Sequence, residues 1–257
     1  MKRLAFILTA LVIIAVSTSL ARLGDVKRSF PAPGNQVRGM ARSNIRLFVI
    51  DYGSATRVYR LSPATGSSYG SWTTSFSNKC SGLAFSDRGV LWIGCDGDDR
   101  VYKCKALTGS VYYRWNAGHE PYGVAPYCDS DGGIGTAAIF TSDSTPSFCW
   151  LHNMTSGSVL SSFGLANASS FDIAWDQRNK LIWKGSLPNV VYGYNTNGSV
   201  AASFTVPGHS PRGLAYHGQY LWVGCDGNDR IYQIHCPGNV TPDVSPASFG
   251  GVKALFR

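Results

Sequence analysis

The chain has 257 residues, 44% of them hydrophobic, enough for one large all-β domain or two smaller ones. Its formal net charge of +8 is spread over scattered Lys and Arg, without the basic stripe and interleaved aromatics of a nucleic-acid site, so no nucleic-acid partner is expected. Seven cysteines include no Cys-x-x-Cys pair and no zinc-type spacing, which points to disulfides with at least one thiol left over.

Taken in chain order, the first element is a secretory signal over residues 1–21. Lys2 and Arg3 precede the apolar stretch Leu4 to Val16, and Ser19-Leu20-Ala21 offers small residues before a cut. That stretch is shorter than the roughly 20 residues of a spanning helix. No membrane span is expected in the mature chain, which is read as secreted, either extracellular or periplasmic.

A repeat follows. Gly82-Leu83-Ala84 leads to Leu91-Trp92-Ile93-Gly94-Cys95-Asp96-Gly97-Asp98-Asp99-Arg100-Val101-Tyr102. Gly213-Leu214-Ala215 leads to Leu221-Trp222-Val223-Gly224-Cys225-Asp226-Gly227-Asn228-Asp229-Arg230-Ile231-Tyr232. Weaker copies start at Gly39-Met40-Ala41, Gly123-Val124-Ala125 and Asp172-Ile173-Ala174. The anchors at 39, 82, 123, 172 and 213 recur at the period of a propeller blade. Short runs rich in Val, Ile, Trp, Tyr and Phe between Gly, Asp, Asn and Ser turns predict strands throughout. The fold class is therefore all-β, a β-propeller of five four-stranded blades over residues 22–246, the alternative being six blades with an incomplete last one. Strand a holds Gly-x-Ala near the axis, strand b Leu-Trp, strand c Arg-Val-Tyr, and strand d an aromatic. Asp51 with Arg57, Asp96 with Arg100 and Asp226 with Arg230 are expected to brace the b–c hairpins.

At these residues the chain resembles the NHL-repeat and related extracellular propellers. The segment Gly82 to Lys103 is similar to their Gly-(Leu/Ile)-Ala…Leu-Trp-Val…Asp-x-Gly-Asn-x-Arg-(Val/Ile)-Tyr pattern. The resemblance implies the fold but selects no activity, because binding modules, lactonases, lyases and glutaminyl cyclotransferases share it.

Strand d has six candidates for five places, with aromatics at Phe30, Phe76, Trp115, Phe163, Phe204 and Phe249. The Phe30 segment is expected to close the ring against strand c of the last blade. Residues 247–257 are then a tail or surplus strand, through which the chain could associate with itself.

The d–a loops and b–c turns gather on one face, where residues that break the repeat are the better ligand-binding candidates. These are Asn35, Arg38, His119, Glu120, Tyr122, His209 and Arg212, with Glu120 the one glutamate of the chain. Imidazole and carboxylate there could hold a metal or move protons, but no catalytic or metal set is assigned and no cofactor motif is found. Asp129-Ser130-Asp131-Gly132 reads as a turn rather than a calcium loop. Sequons stand at Asn153, Asn167, Asn197 and Asn239.

If Phe85 faces Val90 across the a–b turn of the second blade, Cys80 faces Cys95, and a disulfide is expected there. A well-repeated frame with little inserted chemistry leads to the expectation of a secreted, non-catalytic binding or scaffold module. Its partner would be an unknown protein, glycan or small molecule at the channel mouth. The alternatives are a hydrolase or lyase with its site at that mouth, and a structural subunit of an extracellular assembly.

Overall fold

The computed structural model describes residues 21–53, 55–77, 79–86, 89–127, 138–143, 147–166 and 171–238. The signal segment 1–20, the Asp129–Gly132 turn, the sequons at Asn167 and Asn239 and the 247–257 tail lie outside them.

Among the described residues, twenty strands form five antiparallel four-stranded sheets, the blades of a β-propeller. β1 (Val26–Pro31) comes first. Blade one is β2 (Val37–Arg42), β3 (Leu47–Asp51), β4 (Arg57–Leu61) and β5 (Ser68–Thr73). Blade two is β6 (Gly82–Ser86), β7 (Val90–Cys95), β8 (Arg100–Lys105) and β9 (Val111–Asn116). Blade three is β10 (Gly123–Tyr127), β11 (Ala138–Ser142), β12 (Phe148–Asn153) and β13 (Val159–Gly164). Blade four is β14 (Ile173–Asp176), β15 (Leu181–Ser186), β16 (Val190–Tyr194) and β17 (Val200–Thr205). Blade five is β18 (Pro211–His217), β19 (Tyr220–Cys225) and β20 (Arg230–His235), completed by β1.

Successive innermost strands touch in a circle, β2 to β6, β10, β14, β18 and back to β2. Closure is the one expected from the Phe30 segment: β1 pairs antiparallel with β20, Phe30 opposite Ile231. This joins the two ends of the described chain and leaves no gap between the first and last blades.

One size rule repeats in every blade. The alanine of strand a lies opposite the aromatic of strand b: Ala41 with Phe48, Ala84 with Trp92, Ala125 with Phe140, Ala174 with Trp183 and Ala215 with Trp222. All ten side chains are buried. A methyl against a large ring lets the narrow inner strand sit close to the axis while the ring fills the wedge behind it. The glycine two places before the alanine permits the closest approach, since a Cβ at Gly39 would stand 2.3 Å from the Ser81 carbonyl oxygen.

The expected Asp–Arg braces are not what these carboxylates do. Asp51 accepts the Gln36 N–H at 3.1 Å, Asp96 accepts from the Tyr52 and Ser81 hydroxyls at 3.1 and 3.3 Å, and Asp226 pairs with Arg212 and Arg38. The b–c turn aims them at the d–a loops, where backbone donors and neighbouring blades supply partners.

Cys80 and Cys95 form a disulfide, with Cα atoms 3.8 Å apart. The register behind that expectation is corrected: Phe85 faces Leu91 and Ser86 faces Val90. In blades one and five the register slips by one just before the axial glycine, at Arg38 and Arg212. The disulfide brings Cys80 level with Cys95 at the place where Pro211 is level with Cys225 in blade five. Such a disulfide is compatible with an oxidising extracellular or periplasmic compartment. Cys104, Cys149, Cys225 and Cys236 are buried free thiols. Burial pushes the first three up to about 12, which makes them poor nucleophiles.

Candidate functional site at the two ends of the axis

Asp172 occupies the place that glycine holds in the other four blades. Its carboxylate crosses the axis and binds all four. Oδ2 accepts the N–H of Met40 at 2.9 Å and of Leu214 at 3.2 Å, while Oδ1 accepts those of Val124 at 3.3 Å and Leu83 at 3.4 Å. The glycines make the room, and one aspartate uses it. Burial pushes this carboxyl well above the ordinary carboxylate range, against the pull of its N–H donors.

The residues that bind Asp172 also line a cavity of about 790 Å³. It opens among the a–b turns, where Asn44, Arg178 and Gln219 are exposed. Its walls are the strand-a alanines with Phe85, Trp175 and Tyr216. Its polar groups include Arg42 and His217. Arg42 donates to the Arg46 and Asn44 carbonyls at 3.3 and 3.0 Å, leaving Nε buried without an acceptor, and burial lowers its pKa to about 10. The His217 Nε2 lies 2.9 Å from Asn44 Oδ1. That amide oxygen can only accept, so Nε2 carries the proton and Nδ1 of the neutral ring is a free base. Burial, then the charge of Arg42, holds His217 below the ordinary imidazole range, so the ring is neutral at pH 7. None of these groups carries a repeat signature or breaks the repeat visibly, and sequence reasoning missed them.

The opposite end is the face of the d–a loops and b–c turns, where the ligand-binding candidates were placed. Arg38 and Arg212 come together there on one oxygen, Asp226 Oδ2, at 3.9 and 2.9 Å. Arg38 also lies over Tyr52 and Arg212 over Phe171. Tyr122, from the same position of blade three, is half-buried. Asn35, Glu120 and His209 are exposed, His209 beside Gly227.

His119 turns towards blade three, where it packs at a tilt against Trp150 with ring centroids 3.9 Å apart. Its Nε2 and the Nε2 of His152 each lie 2.9 Å from Thr141 Oγ1, and His152 Nδ1 lies 2.9 Å from the Gly157 carbonyl. The carbonyl sets the direction of the whole chain. His152 donates through Nδ1, Thr141 donates to His152, and His119 donates to Thr141. Burial lowers the pKa of both histidines, which keeps them neutral in this arrangement. A second group hidden from sequence reasoning is Lys184, wholly buried, held at about 8 by burial and donating to the Asp143 carbonyl at 3.2 Å.

No family model matches the chain, and no curated protein matches it in sequence. Solved structures do. The chain is similar to the glutaminyl cyclase of Myxococcus xanthus, with a TM-score of 0.65 at 12% identity over 84% of this chain and 97% of that one. A chain of the Mitotic Checkpoint Complex gives 0.51 at 13% identity, covering 91% and 98%. BamB from Moraxella catarrhalis gives 0.39 at 13% identity, covering 76% and 71%. The expectation of a non-catalytic module is corrected by the first of these. An enzyme shares this frame, so a regular repeat with few inserted groups is no sign that catalysis is absent. At these identities the likeness carries the fold: the protein is a five-bladed β-propeller.

Proposed function

We propose that the protein is an enzyme whose substrate enters the axial cavity among the a–b turns. The observation that carries this reading is His217: a neutral imidazole lining a cavity of about 790 Å³, its Nε2 fixed by Asn44 and its Nδ1 left as a base. The reaction class favoured by the likeness to glutaminyl cyclase is cyclisation of an N-terminal glutamine. The α-amine attacks the side-chain carboxamide carbon, the carbon–nitrogen bond breaks, and ammonia leaves. His217 takes the proton from the amine and returns it to the departing nitrogen. Arg42, on the wall of the same cavity, supplies the positive charge against which the carbonyl oxygen gains its negative charge. Secretion and an NHL-like ancestry of the blades belong to the same proposal, supported by the basic-apolar N-terminus, the Cys80–Cys95 disulfide and the Gly-x-Ala…Leu-Trp repeat.

The test is ammonia release from a peptide with N-terminal Gln, against the same peptide with N-terminal Asn or with a blocked amine. Release from the first alone supports the reading. Equal background from all three rejects it.

A further inference from the structure

The d–a loop face holds a cluster that the cavity does not use. Arg38 and Arg212 are the residues at which the register of blades one and five slips by one. A bulge re-aims its side chain, and here two bulges in adjacent blades aim two guanidinium groups at one carboxylate. The pairing is incomplete. Arg38 NH2 is 3.9 Å from Asp226 Oδ2, and its Nε is buried without an acceptor. Arg212 Nε lies 2.9 Å from the same oxygen but is not aligned to donate to it. Both side chains remain open to solvent, at 23% and 22% exposure.

The b–c turn carboxylates of blades one and two are engaged elsewhere: Asp51 accepts from the Gln36 N–H, and Asp96 accepts from Tyr52 and Ser81 and lies near Lys79. Both cations lean on the Asp226 carboxylate, and Arg212 feels Arg38 as a repelling charge. Phe171 lies under Arg212 and Tyr52 under Arg38, so the flat guanidinium faces are already backed by rings. The position just before the axial residue reads Arg38, Ser81, Tyr122, Phe171 and Arg212 around the five blades. The residue after it is glycine in four blades and Asp172 in the fifth. The scaffold is constant while this ring is not, which is the pattern of a binding surface laid on a frame.

We propose that this face is a second ligand site, which takes a carboxylate attached to a flat apolar group. The carboxylate bridges Arg38 and Arg212 in the fork geometry that guanidinium groups favour, and the apolar part lies against the half-buried Tyr122. A free aromatic acid and the C-terminus of a peptide present the same chemistry.

Titration calorimetry with benzoate, with a peptide ending in a free C-terminal Phe, and with the same peptide amidated tests the site and its source. Binding of benzoate alone assigns it to free acids. Binding of the free-acid peptide but not the amidated one assigns it to chain ends. Arg212→Gln and Arg38→Gln should each weaken the binding by about ten-fold or more. Asp226→Asn should tighten it, because the competing carboxylate is gone, a result that a purely structural ion pair would not give. Arg42→Gln, in the cavity at the other end, should leave it unchanged, which separates this test from that of the proposed reaction. No binding of any probe at millimolar concentration, unaltered binding by Arg212→Gln, or weaker binding by Asp226→Asn would overturn the proposal.

Discussion

The Asp172 carboxylate accepts the Met40 N–H at 2.9 Å across a separation of 132 residues. Blade four is thereby tied to blade one through the centre of the ring, and the same side chain ties it to blades two, three and five. Asp172→Ala removes the acceptor of four buried donors at once. A loss of about 3 kcal/mol or more is expected, read as the shift in denaturant midpoint. Asp172→Asn should fall between that variant and the native chain, because its amide keeps one oxygen but sets an NH2 against N–H donors.

The small-against-large rule makes a paired prediction in blade five. Trp222→Ala should cost about 3–5 kcal/mol. Ala215→Leu, which crowds the same contact from strand a, should cost about 1–3 kcal/mol. Thermal unfolding of each variant checks the order.

The Cys80–Cys95 disulfide closes a loop with a sequence separation of 15. Chain-entropy arguments give such a loop about 3 kcal/mol. Cys80→Ser with Cys95→Ser should lower stability by about that amount. The native chain in reductant should approach the same value, while the buried thiols resist alkylation until the protein unfolds.

The His119–Thr141–His152 chain makes stability fall in mild acid. The unfolded chain takes up these protons at the ordinary imidazole value of 6.5, and the folded chain only below it. Stability is therefore full above that pH and declines as pH drops towards the folded values. His152→Gln should flatten this part of a denaturation series run between neutral and acidic pH.

Much of the fold was legible because propeller geometry writes itself at a fixed period. Gly-Leu-Ala and Leu-Trp recur because every blade must bring an alanine against a ring, and Phe30 matches Phe204 because both sit on outermost strands. What failed was what does not repeat. Asp172 was visible in the Gly-x-Ala series, yet its four donors come from other blades and leave no mark near it in sequence. The Asp226 carboxylate was assigned to Arg230 by proximity along the chain, although the d–a loops brought Arg212 and Arg38 nearer. His217 ends the innermost strand of blade five and Asn44 lies in the a–b turn of blade one, so their meeting needed the closed ring.

The account rests most on His217, and the pH dependence of kcat/KM for ammonia release from an N-terminal glutaminyl peptide tests it directly. The substrate's own α-amine loses its proton at about 8, so the rate is divided by the neutral-amine fraction. Because burial and Arg42 hold the imidazole below 6.5, the corrected rate should stay level through neutrality and fall to half on the acid side of that value. His217→Gln, which leaves the fold intact by circular dichroism, should lose the acid limb together with about 100-fold or more of the rate. An unchanged rate and an unchanged profile in that variant would contradict the account.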